Sequence, residues 1–174
     1  ELKRRANPSC LCTAAGPELI GELRDFVRYL KTAVPRRIRV KDARPPAFLL
    51  TDAEFDEEAG TAGLGAVLLH EDGSVAEFFS EPVPADIIRV IQDLAGSNYV
   101  ISALELLAVQ AALVVWGRHF MHRRLFVAID NEAARAALVK SSSAAPAMRA
   151  LVKQILLLDA KHPHYRWVLL VPSK

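Results

Sequence analysis

The sequence predicts an α/β fold. The expected core is a five-stranded mixed sheet, a three-strand antiparallel meander plus parallel strands, with helices on both faces. Three observations carry this. Ala47-Phe48-Leu49-Leu50-Thr51-Asp52 runs apolar without alternation and stops at a carboxylate. A short continuous apolar run of this kind reads as a central strand covered on both faces. Leu125-Phe126-Val127-Ala128-Ile129 repeats the pattern and stops at Asp130. Between them, Glu71-Asp72-Gly73-Ser74 is a hairpin signal joining two strand-like runs.

Taken in order, Glu1 to Gly16 has no periodicity and is expected to be loop. From Pro17, Leu19, Leu23, Phe26, Val27 and Leu30 recur at helical spacing, so they share one helix face. Pro35 cannot continue that helix, which should end near Ala33. In the basic connector after it, Ile38 and Val40 alternate with arginines and allow a short edge strand. Pro45-Pro46 mark the entry to the first buried strand. Ala53 to Glu58 is acidic and turn-like. Gly63 to Leu69 and Val75 to Ser80 complete the meander, and Pro82 and Pro84 end it. A short helix is expected over Ala85 to Leu94 and a loop at Gly96-Ser97-Asn98. Ser102 to Trp116 is apolar nearly all round, which predicts a helix buried against the sheet. Gly117 should stop it. After the second buried strand come helices over Asn131 to Val139 and Pro146 to Ala160, then a last strand from Tyr165 to Val171. Right-handed crossover places the second Asp-terminated strand parallel and adjacent to the first. Neighbouring strands lie about 4.8 Å apart, so Asp52 and Asp130 would meet at one sheet edge.

The 174 residues suffice for one domain and a lead-in, and 52% hydrophobic content supplies a sizeable core. A net charge of +2 does not by itself indicate a nucleic-acid partner. Basic residues are unevenly placed, however, in Lys3 to Arg5, Lys31 to Arg44 and Arg118 to Arg124. The two cysteines, Cys10 and Cys12, are too close for an easy disulfide and complete no zinc pattern. They are expected to be free thiols in a reducing, intracellular compartment, cytoplasm or nucleus. No signal peptide is recognisable, and the apolar runs read as too short to span a bilayer. Trp116 and Trp167 are expected in the core. The start at Glu1, without Met, fits an excised piece.

Glu105 is the third acid, in the first turn of the greasy helix. Each acid has a local role open to it. Ser102-Ala103-Leu104-Glu105 has the form of a capping box; Asp130 could cap the helix at Asn131; Asp52 could be a turn residue. All three nevertheless fall where the proposed topology converges. Two carboxylates that close repel unless a proton or a cation sits between them. Hard oxygen ligands suit Mg²⁺ or Mn²⁺, and two such ions serve phosphodiester cleavage. Glu54 and Asp56 are auxiliary ligands or solvated charges. Asp52-Ala53-Glu54 also matches the Asp-x-Glu of 3′–5′ exonucleases, without the late His or Tyr that group needs.

Thr51-Asp52-Ala53, Gly63-x-Gly65-Ala66, Ala103 to Ala108 and Ile129-Asp130-Asn131 together resemble the ribonuclease H domain, in the version carried by retrotransposon reverse transcriptases. The likeness covers Ala47 to Lys174. It implies a ribonuclease H-like domain over 47–174, C-terminally truncated so that the last helix and its fourth carboxylate are missing. Residues 1–46 would be a helical, basic lead-in, the connection tail of the reverse transcriptase. The resemblance further implies Asp52, Glu105 and Asp130 as catalytic residues and as ligands of Mg²⁺ or Mn²⁺, two ions. Asn131, Arg123 and Arg124 would contact nucleic acid. The implied activity is endonucleolytic hydrolysis of the RNA strand of RNA·DNA hybrids. The partners would be the hybrid and an upstream reverse transcriptase domain of the same polypeptide, with no membrane. A catalytically inactive binding or spacer module is the alternative.

Overall fold

Strands β1 (Ala47–Asp56), β2 (Thr61–Leu69), β3 (Val75–Pro82), β4 (Arg124–Ile129) and β5 (Tyr165–Leu170) form one sheet in the order β3-β2-β1-β4-β5. The pairs β1–β2 and β2–β3 are antiparallel, while β1–β4 and β4–β5 are parallel. This is a computed structural model, and it describes residues 16–35, 44–96 and 99–171, without the Glu18 side chain. The chain divides into two compact units, Glu1–Thr32 and Ala33–Lys174. Cys10, Cys12 and the strand considered at Ile38 and Val40 lie outside the described residues.

In the first unit the described element is helix α1 (Pro17–Thr32). Its apolar residues recur at three- and four-residue intervals, as the sequence predicts. At its end the Thr32 hydroxyl donates back to the carbonyl of Arg28 at 3.0 Å.

The sheet belongs to the second unit, with helices α2 (Ala85–Ala95), α3 (Val100–Trp116), α4 (Glu132–Lys140) and α5 (Pro146–Lys161). The short helix at Ala85 makes the order β-β-β-α-α-β-α-α-β. α3 is the hub: it packs on β1 and β2 and against α2, α4 and α5. Leu104, Leu106, Val109 and Leu113 from α3 join Leu49, Leu68, Leu125 and Val127 from the sheet in one core. The α3 stretch with its 3-10 extension, Val100–Phe120, is long and apolar enough to cross a membrane, contrary to the expectation from run lengths. Two thirds of it is buried within the domain, the normal state of a central helix in a sheet protein. Gly117 sits where α3 gives way to a 3-10 turn, and a Cβ there would come within 2.9 Å of the His162 ring. Close approach, rather than unusual backbone angles, accounts for this glycine.

These helices form a single layer on one face. Within this unit the second face, for which the sequence also predicts a helix, is open among the described residues. Register puts Phe48, Leu50, Val67, Phe78, Phe126 and Trp167 on it. Phe48 and Phe126 stack at 5.4 Å. Trp116 is buried as expected, its indole N–H donating to Glu77 at 2.6 Å. Trp167 is not: it is 60% exposed on the open face.

Two boundaries shift in ways that matter for the site. β1 does not stop at Asp52 but runs to Asp56, because β2 keeps pairing with it through Asp56↔Thr61. The acidic stretch expected as turn is therefore mostly strand. α3 begins at Val100, two residues before Ser102, and shows no side-chain cap. The capping-box reading of Ser102 and Glu105 is overturned, since both lie buried inside the helix.

Candidate metal centre and nucleic-acid interface

β1 and β4 stay paired only from Ala47↔Leu125 to Leu50↔Ala128. Two residues further along each strand stand Asp52 and Asp130. There the strands part: β1 continues beside β2, with Asp52 opposite Gly65, while the chain leaves β4 for α4. Asn131, not Asp130, caps α4; its side-chain oxygen accepts from the Ala134 N–H at 2.9 Å. Asp130 is thus not spent on the helix cap.

Glu105 reaches this notch from α3. It is 2% exposed. Its Oε1 accepts from the Ala53 N–H at 3.1 Å, and the same N–H donates to Asp52 Oδ1 at 3.0 Å. One amide therefore ties two acids to the point where β1 loses its β4 partner. Asp52, Glu105 and Asp130 each offer an oxygen, and these oxygens all lie within 4.8 Å of one another. Asp52 and Asp130 are exposed while Glu105 is buried, so the group opens to solvent on one side only.

The electrostatics favour a cation. Burial first, then the negative charge of Asp130, push the Glu105 carboxyl up to about 8; Asp52 adds to the rise and the Ala53 amide opposes it. No donor reaches the buried Glu105 Oε2, an expensive state for it when ionised; when protonated, Glu105 can share its hydrogen with Asp130, which adds to the rise. The donor set fits a divalent ion of the Mg²⁺ or Mn²⁺ type. It is all hard oxygen, and ligands across such an ion stand about 4.2 Å apart.

The remaining expected residues are placed differently. Asn131 adjoins the carboxylates but uses its oxygen for the helix cap. Arg123 and Arg124 lie at the opposite end of β4, roughly 20 Å of strand from Asp130. The Arg123 guanidinium is held by the Pro45 carbonyl at 3.0 Å. Glu54 and Asp56 project from the exposed extension of β1. What sequence reasoning missed is the Ala53 amide. No residue-type signal could have found it, because every non-proline residue carries the same group.

No family model matches the chain, and no curated protein does. Solved structures do. LC11-RNase H1, isolated from compost by a metagenomic approach, is 15% identical, with 75% of this chain and 86% of that one covered and a TM-score of 0.57. LC11-RNase H1 in complex with an RNA/DNA hybrid superposes at 16% identity, 73% and 86% coverage and a TM-score of 0.56. RNase H1 from the halophilic archaeon Halobacterium salinarum does so at 16% identity, 74% and 86% coverage and a TM-score of 0.54. At these identities the likeness establishes the fold, a ribonuclease H-like mixed sheet with its helices.

Proposed function

We propose that this domain is a metal-dependent endonuclease that hydrolyses the RNA strand of RNA·DNA hybrids, as part of a retroelement reverse transcriptase. The observation that carries the nuclease reading is the meeting of Asp52, Glu105 and Asp130 within 4.8 Å, with a buried Glu105 oxygen left without a donor. The fold similarity supports the same chemistry, and one of the similar proteins is seen with an RNA/DNA hybrid. Support for the reverse transcriptase context comes from the sequence likeness alone.

Asp52, Glu105 and Asp130 would hold the ions. When bound, two divalent cations supply a water nucleophile at neutral pH and stabilise charge on the scissile phosphate. The chain's own contribution is placement. The Ala53 amide orients two of the acids, and the Asn131 cap fixes the start of α4 next to the third. Near pH 7 metal-free Glu105 holds a proton, which it would give up on binding a cation.

The test is calorimetric titration of the chain with Mn²⁺, followed by hybrid cleavage in a chain extended past Lys174. Asp52→Asn should abolish both the binding heat and the cleavage. Undiminished cutting by that variant refutes the assignment. Metal binding without cleavage by the parent protein would identify a hybrid-binding module instead.

A further inference from the structure

Glu54 is the next residue after Asp52 on the same face of β1, about 6.7 Å along the strand. Its register partner is Gly63. A Cβ on Gly63 would stand 2.7 Å from Glu54 Oε1 and 3.1 Å from its Cγ. The Glu54 side chain therefore lies across β2, in the space a side chain at 63 would take. Gly65, opposite Asp52, differs: a Cβ there would meet nothing nearer than a backbone oxygen at 3.9 Å. The fold has room for a side chain at 65 and the sequence supplies none. The surface of β2 beside the carboxylate group is thus bare, and beyond it opens a cavity of about 570 Å³ lined by Glu54, Gly63 and Ser80 among others. Among the described residues the Glu54 carboxylate has no hydrogen-bond or ion-pair partner.

A carboxylate in this place repels a phosphate and accepts from a hydroxyl. On a strand whose scissile phosphate sits at Asp52, the adjoining donor is the ribose 2′-OH, the group that separates RNA from DNA. We propose that Glu54, seated over Gly63, accepts a hydrogen bond from a ribose 2′-OH of the strand held at the metal centre and is a specificity-determining residue for RNA. Gly65 leaves the path to it clear. This rests on the nuclease reading above. It differs from the role of auxiliary metal ligand, because the carboxylate is turned across β2 and is not among the oxygens that cluster around Glu105.

The experiment measures affinity of the full chain for an RNA·DNA hybrid and for the all-DNA duplex of the same sequence, in Ca²⁺ to hold off cleavage. Glu54→Ala should weaken hybrid binding by about three- to tenfold, the share of one hydrogen bond, and leave duplex affinity unchanged or raised, since a charge that repels phosphate is gone. Single 2′-deoxy substitutions along the RNA strand should include one position that weakens the parent protein and has no effect on Glu54→Ala. Gly63→Ala, which displaces the carboxylate without removing it, should reproduce the loss. Glu54→Gln, which keeps an acceptor oxygen, should restore most of it. An unchanged hybrid-to-duplex ratio in Glu54→Ala overturns the proposal, as does loss of Mn²⁺ binding heat in that variant, which would make Glu54 a ligand. Either result leaves the nuclease reading standing if Asp52→Asn still abolishes metal binding. A parent protein that neither prefers the hybrid nor binds Mn²⁺ overturns both.

Discussion

The Ala53 backbone N–H donates to Glu105 Oε1 at 3.1 Å, linking a strand to a helix residue 52 positions away. The bond is available only because β1 has lost its β4 neighbour after Leu50. A strand amide that would otherwise enter the ladder instead holds a buried acid at the rim of the sheet.

The first consequence concerns pH. Glu105 titrates near 8 when folded and near its ordinary 4.5 when unfolded. Between those values the native state binds a proton that the unfolded state has lost, so stability falls as pH rises. The metal-free chain should be more stable at about pH 5 than at about pH 9. Mn²⁺ should reverse the loss at the higher pH. Denaturant melts at both pH values, with and without the ion, check this.

Glu105→Gln separates the acid's charge from its packing. The amide keeps an acceptor for Ala53 and has no proton to lose. This variant should match the parent near pH 5, exceed it near pH 9 without metal, and bind no Mn²⁺. Equal stability at the higher pH would show that ionised Glu105 is not under strain.

The helix cap next to Asp130 should also be measurable. Asn131→Ala removes the acceptor for the Ala134 N–H and should cost about 1 kcal/mol. Mn²⁺ affinity should fall about tenfold, the usual effect of losing a group that orients a ligand. Asn131→Ser keeps a capping oxygen and should recover both. Urea melts and calorimetry read the two effects separately.

At the other end of the sheet, Arg166 lies 2.9 Å from Asp159 Oδ2, and His164 lies 3.3 Å from Oδ1. All three side chains are almost wholly buried. Asp159→Ala leaves the Arg166 charge uncompensated and should cost about 3–5 kcal/mol. Hydrogen–deuterium exchange should show the loss concentrated in α5 and β5, away from the carboxylates.

The two tryptophans should respond in opposite ways. Trp116→Ala empties a core site and should cost about 3–5 kcal/mol. Trp167→Ser, on the open face, should change stability by about 0.5 kcal/mol. A large loss for Trp167 would mean that this face is covered in solution.

Much of this was legible in the residues because the signals are local. Leu49 and Val127 lie in unbroken apolar runs, and both are core residues. Pro17 and Pro35 bracket α1. The misreadings have one common origin. The end of β1 depends on its β2 partner, the exposure of Trp167 on what covers its face, and the failure of the capping box on the Ala53 amide that holds Glu105 instead. Each depends on a neighbour distant in sequence, and residue patterns carry no record of such neighbours.

The chain's own order of residues therefore determined the element sequence, the parallel placement of the two apolar runs that lead to Asp52 and Asp130, and the identity of three acids. Only the folded arrangement decided that those acids share one notch, that Asn131 relieves Asp130 of the cap, and that Arg123 and Arg124 sit at the far end of the sheet. The reason is physical: periodicity reports which face of an element is apolar, whereas the distance between two side chains is set by register and packing across the whole domain.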